Sequence, residues 1–203
     1  MRDSQRFSRP CGLVRPPGSR LLEAYSPKLG RRVQFAARLD FLQWVRLEAD
    51  PDVTSFCERP TRLGGDDAGP LISFWVQRQR TQEFVLLARH DTPADLPADH
   101  EGVALRIVAQ PELTAASVWV GNWLRMLGVI SRTSSLLSET FKSSVLAFVD
   151  APTPLSHIEC RYSAGDPMLA RGAAFELLRT GALAAPSLKT EPLCLHSMWE
   201  PVR

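Results

Sequence analysis

The chain has 203 residues, of which 44% are hydrophobic and 23% charged, with 16 prolines and 12 glycines. That composition excludes wholesale disorder and a coiled coil, and the length suffices for one large or two small cores without disulfide or metal staples. No apolar run approaches the span of about eighteen residues that a bilayer crossing needs. The basic start, MRDSQRFSRP, has no apolar stretch behind it, so it does not read as a secretory signal. A cytoplasmic protein without membrane partners is expected. The four cysteines, Cys11, Cys57, Cys160 and Cys194, are dispersed with no C-x-x-C pair and read as buried or incidental thiols.

The net charge of +2 is unevenly spread. Residues 1–32 hold eight basic side chains (Arg2, Arg6, Arg9, Arg15, Arg20, Lys28, Arg31 and Arg32) against Asp3 and Glu23, or +6, which leaves −4 for the rest. Only three of the 24 basic residues are lysine. An arginine-rich segment broken by Pro10, Pro16, Pro17 and Gly18 reads as a mobile arm over residues 1–30. Guanidinium forks suit phosphate backbones, and their binding releases counterions; the other reading is a solvated tail.

In chain order, residues 31–50 read as a helix, with Phe35, Leu39, Leu42 and Val45 at four-three-three spacing and Pro51 as its stop. Residues 53–57 are a short strand closed by Pro60. The cluster GGDDAGP at 64–70 is a turn, and residues 71–76 and 83–88 form a hairpin rich in apolar, β-branched and aromatic side chains. Residues 91–102 are a loop, 103–108 a strand and 111–127 a helix. A serine-rich helix follows over 131–149. Thr153 and Pro154 are expected to start a short helix, and Asp166 and Pro167 a second one that runs from 168 to the stop at Gly181. The tail from 187 to 201 is a strand or wing. Three short helices followed by a β-tail resemble a helix-turn-helix arrangement, with a domain boundary near 130.

The run RRVQFAARLDFLQWVRLEADPDVTSFCERP resembles the opening of the TnsA-type endonucleases of heteromeric transposases, a helix with acidic residues followed by a D-P-x-V-x-x-F-x-x-Q-P-like element. Here that element is Asp50-Pro51-Asp52-Val53 through Phe56 and Glu58-Arg59-Pro60. The late segment AFELLRTGALAAPSLKTEPLCLHSMW is similar to the family's closing helix and wing, so the likeness spans roughly residues 30–203. The resemblance implies an α/β fold: a restriction-endonuclease-like mixed sheet flanked by helices over 31–130, then a small helical, winged-helix-like part over 131–203. It also implies DNA as ligand and a transposase or AAA+ transposition protein as partner.

Such nucleases hold Mg²⁺ on carboxylates, and the metal activates water and stabilises charge on the scissile phosphate. The family pattern is a helical Glu, then P-D on one strand, then E-x-K on the next. Carried onto this chain, the helical acid falls on Asp40 and a second glutamate position on Ala36. The P-D position reads Ile72-Ser73, and E-x-K reads Leu87-Ala88-Arg89. Serine is a poor Mg²⁺ ligand and leucine is none, and an arginine stays protonated near neutral pH. The catalytic positions Asp40, Ser73, Leu87 and Arg89 therefore read as degenerate, with no metal ligand set and no cofactor.

The expected protein is a non-enzymatic, TnsA-like component of a bacterial mobile element. It is expected to bind DNA or a transposition partner, with Arg31, Arg32, Arg89, Arg171 and Arg179 as candidate DNA contacts. Two alternatives stand beside it. One is an active Mg²⁺-dependent nuclease with displaced carboxylates, Asp40 with Glu83 or Asp91. The other is a winged-helix regulator reading DNA through the helix that carries Arg171 and Arg179, although Glu176 and neighbouring alanines suit packing better. His90, His100, His157 and His196 show no metal-ligand spacing, and Gly64-Gly65 lacks the Lys-Ser/Thr of a phosphate loop.

Overall fold

The computed structural model describes residues 7–64, 69–89, 92–93, 95–163 and 166–202. The chain forms two compact units, one of residues 1–47 and 52–115, the other of residues 48–51 and 116–203. The division falls at 115/116 instead of near 130, because the helix that follows Ala116 packs within the second unit.

The first unit opens with an antiparallel hairpin, β1 (Leu22–Ser26) and β2 (Arg31–Phe35), paired from Leu22 opposite Phe35 to Ser26 opposite Arg31. The arm expected over 1–30 thus ends where β1 begins. Gly30, at φ 64°, closes the turn in a left-handed conformation that favours glycine. The helix expected from residue 31 is α1 (Arg38–Ala49). Residues 31–35 alternate, with Val33 and Phe35 buried between exposed Arg32 and Gln34, which is the period of a half-buried strand. Phe35 fits a helical apolar face equally well when the chain is read alone, and that ambiguity produced the longer helix.

A five-stranded mixed sheet follows in the order β3-β4-β5-β7-β6. Its strands are β3 (Val53–Glu58), β4 (Phe74–Arg78), β5 (Gln82–Leu87), β6 (Asp99–His100) and β7 (Val103–Val108). β3, β4 and β5 form an antiparallel meander, β7 runs parallel to β5, and β6 is antiparallel to β7. The hairpin expected from 71–76 and 83–88 is the β4–β5 pair. Successive side chains on β4 point to opposite faces. Phe74 meets Phe35 and Phe56 on one face. Trp75 packs with Cys57, Ile72, Phe84 and Val103 on the other. The unit ends with α2 (Gln110–Ala115).

The helix expected over 111–127 is broken at Ala116, whose φ of −88° and ψ of 15° leave helical geometry. The second unit starts there with α3 (Ser117–Thr133), followed by α4 (Glu139–Phe148), β8 (Thr153–Pro154), α5 (Leu155–Tyr162), α6 (Met168–Arg179), β9 (Leu183–Ala184) and β10 (Met198–Pro201). The serine-rich stretch does not form one helix from 131. Residues 131–133 finish α3, and α4 begins after Ser138, whose Oγ accepts the Phe141 N–H at 3.1 Å. A serine hydroxyl satisfies an orphan backbone amide N–H at a helix start better than it serves a helix interior. Thr153 and Pro154 pair with Trp199 and Met198 of β10 instead of entering α5. The N-cap of α6 is Pro167, one residue later than expected, and Asp166 just ahead of it accepts the Met168 N–H through Oδ1.

The tail expected as a wing is a strand only over Met198–Pro201, the middle strand of a β8-β10-β9 sheet, with a 3₁₀ turn at Pro186–Lys189. The rest of the tail is pinned by Asn122 of α3. Its Nδ2 donates to the carbonyls of Leu188 and Glu191, and its Oδ1 accepts the Leu193 N–H, all at 2.8 Å. No described helix is long and apolar enough to cross a membrane.

Candidate functional site

A cleft of about 520 Å³ opens in the first unit where β3 and β5 end and β4 begins. Every position onto which the nuclease pattern was carried lies around this end of the sheet. Asp40, in the first turn of α1, lines the cleft with Ala36, Ser73, Leu87 and Arg89. The structure therefore gathers residues as far apart in sequence as Ala36 and Arg89, and the chemistry they bring is read from the side chains themselves.

Ser73 directly precedes β4, and its hydroxyl accepts the Leu87 N–H at 3.1 Å, tying the two strand ends together. Leu87 ends β5 and is buried in the core. Arg89, just beyond, donates through Nη2 to Asp40 Oδ2 at 2.7 Å. Asp40 is only 17% exposed against 46% for Arg89. Burial pushes the Asp40 carboxyl above its ordinary range, while the charges of Arg89 and Arg59 pull it back. A guanidinium thus sits against the one carboxylate that the pattern retains. Among the described residues there is no group of three or more His, Cys, Asp or Glu side chains placed to hold a metal ion.

Three charged lining residues, Glu58, Arg59 and Arg62, were not singled out from the sequence as site residues. Glu58, at the end of β3, is 2% exposed and takes a bidentate fork from Arg31, at 2.7 and 2.6 Å. Arg31 was expected as a DNA contact, but its guanidinium is committed to this buried carboxylate; the hydrogen bond to Glu58 raises its pKa. Arg59 follows at φ 49°, a left-handed conformation that costs a non-glycine residue on the order of 1–2 kcal/mol. Its N–H donates to the Ser73 carbonyl, and its side chain donates to the carbonyls of Cys11 and Gln34. The only sequence signal for the pair is two charges at a strand end before Pro60. Arg62 also lines the cleft, its Nη1 donating to the Gly69 carbonyl.

The remaining candidates lie elsewhere. Arg32 is exposed on β2, opposite Tyr25. Glu83 is near the start of β5, the far end of the strand from Leu87, in an ion pair with Arg78 at 3.2 Å; it does not line the cleft, so the pairing of Asp40 with Glu83 is not formed. His90 and Asp91 lie outside the described residues, as do Arg2 and Arg6.

In the second unit, Arg171 and Arg179 are on α6, but this is a core helix. Ala170, Gly172, Ala173, Ala174, Phe175, Leu177 and Leu178 are all buried. Arg171 forks onto Glu159 of α5, and Arg179 onto Glu176 one turn earlier. An arginine that reads a groove must present its donors outward; Arg179 is mostly buried, and Arg171, though 36% exposed, turns Nε and Nη2 onto Glu159. The alanines of α6 are packed and both arginines are paired to glutamates, so the packing reading of this helix fits better than the groove-reading alternative.

No protein-family model matches this chain, and no curated protein does.

Proposed function

We propose that the first unit is a nuclease-like scaffold that binds the phosphate backbone of DNA without hydrolysing it. The convergence of Asp40, Ser73, Leu87 and Arg89 on one cleft, with Arg89 paired to Asp40, carries this reading. In a metal-dependent site, carboxylates gather around a divalent cation. Here a serine and a leucine occupy two of the acidic positions, and a guanidinium neutralises the third. Among the described residues, the cleft and its immediate supports hold Arg31, Arg59, Arg62 and Arg89 against Asp40 and Glu58. That balance favours an anion. The setting that the resemblance implies, a bacterial mobile element with a transposase or AAA+ protein as partner, belongs to the same proposal.

Fluorescence anisotropy with labelled duplex DNA tests it. Affinity falls steeply with added salt, and Arg59→Ala weakens binding while reducing the slope of log K against log salt by about one. Plasmid incubated with Mg²⁺ or Mn²⁺ stays supercoiled. Nicking that disappears in Asp40→Ala would overturn the reading in favour of an active nuclease.

A further inference from the structure

The arm was expected to be free, but its described part is docked on the first unit, and its path crosses the cleft. Phe7 sits edge-on to Trp75 and Phe84, with ring centroids 5.8 and 5.6 Å apart. That places it on the sheet face opposite the one covered by Phe35 of β2, which packs on Phe74. The segment between Phe7 and β1 must therefore pass from one face to the other. It does so around the strand ends where the cleft opens, and Leu13, Val14 and Pro16 line the cleft from this segment.

The latch at mid-segment is Arg59. The Cys11 N–H donates to the Arg59 carbonyl at 2.8 Å, and Arg59 Nε donates back to the Cys11 carbonyl at 3.2 Å. The Cys11 thiol adds a weak bond to the Pro60 carbonyl at 3.6 Å. Residues 8–21 form no helix or strand, and most of them are exposed. A mostly exposed segment without helix or strand is the kind that can open locally without global unfolding.

We infer that residues 8–16 are a strap that closes the cleft and is released by the same anion the cleft binds. This rests on the phosphate-binding reading above. Arg59 serves both purposes: it lines the cleft and holds the strap. In the closed form its side chain donates to two neutral backbone carbonyls. A phosphate oxygen would replace these with hydrogen bonds in which the acceptor as well as the donor is charged, and phosphate geometry matches the guanidinium fork. The exchange withdraws the guanidinium from Cys11 and loosens the strap. The left-handed backbone of Arg59 fits this dual role, since strained residues cluster at clamps and switches.

The experiment measures duplex DNA affinity by anisotropy and peptide-resolved hydrogen exchange of residues 8–16 in the full chain. It uses the wild type, Phe7→Ala, which weakens the anchor, and Cys11→Pro, which removes the N–H bonded to Arg59; circular dichroism checks that each variant is folded. Saturating DNA is expected to speed exchange in the strap, and each variant to bind roughly three- to tenfold more tightly, tenfold corresponding to about 1.4 kcal/mol. If DNA binds all three proteins equally and leaves strap exchange unchanged, the gate is refuted while the DNA-binding reading stands. Weaker binding by both folded variants also refutes the gate, because the strap would then be part of the binding surface. If none of the three binds DNA or inorganic polyphosphate, the phosphate-binding reading falls and takes the gate with it.

Discussion

Replacing Arg31 by alanine separates a structural arginine from a DNA contact. Its guanidinium forks onto Glu58, which is 2% exposed, at 2.7 and 2.6 Å. Removing one partner of a fully buried ion pair costs about 3–5 kcal/mol, because the remaining charge is stranded in a poor dielectric. The Arg31 side chain is 33% exposed, so water reaches one end of the pair and the expected loss is smaller, about 2–3 kcal/mol. Arg31→Lys keeps the charge but not the planar fork, and should lose about 1 kcal/mol. Arg31→Met combined with Glu58→Leu should recover most of the stability, since no charge is left buried. Urea denaturation at pH 7, followed by circular dichroism, measures all three, alongside DNA affinity under native conditions. A loss below about 0.5 kcal/mol in Arg31→Ala, within the range of ordinary surface changes, together with weakened DNA binding would refute the structural role and return Arg31 to the ligand-contacting set.

Two further predictions concern the helical unit and the cleft carboxylate. A Cβ on Gly172 would lie 2.8 Å from the Thr133 Cβ and still closer to its Oγ1, so Gly172→Ala should destabilise by about 1–3 kcal/mol despite alanine's better helix propensity; thermal melts showing a more stable protein would refute the close α3–α6 approach. Burial raises the Asp40 carboxyl, so the native state holds that proton more tightly than the unfolded chain. The site's stabilisation is then complete below the ordinary carboxylate value of about 3.9 and is lost as pH rises through the folded value. Relative to Asp40→Asn, the wild type should therefore be most stable in acid and lose its advantage toward neutrality. Urea midpoints across that range showing the opposite trend would refute the burial argument.

Runs of apolar, β-branched and aromatic residues located β3, the β4–β5 hairpin and β7, because such a run does not depend on distant partners. The ends of α6 were legible from Asp166-Pro167 and the Gly181 stop, because local backbone geometry selects those residue types. Gly181 has φ 77°, and a Cβ there would meet Pro51 at 2.9 Å. The strand at Arg31–Phe35 was not legible. Its five residues suit a helix face equally well, and pairing with Leu22–Ser26 decided between them.

By itself the sequence determined an α/β chain with an arginine-rich, proline-broken start. Tertiary structure decided how that charge is used. Arg31, Arg171 and Arg179 look alike in sequence to any phosphate-binding arginine, but each faces a glutamate, at Glu58, Glu159 and Glu176 respectively. Arg59 faces backbone carbonyls and lines the cleft. A guanidinium carries the same charge everywhere along a chain; its role depends on which acceptors folding brings within hydrogen-bond reach, and those acceptors come from distant residues that no local pattern encodes.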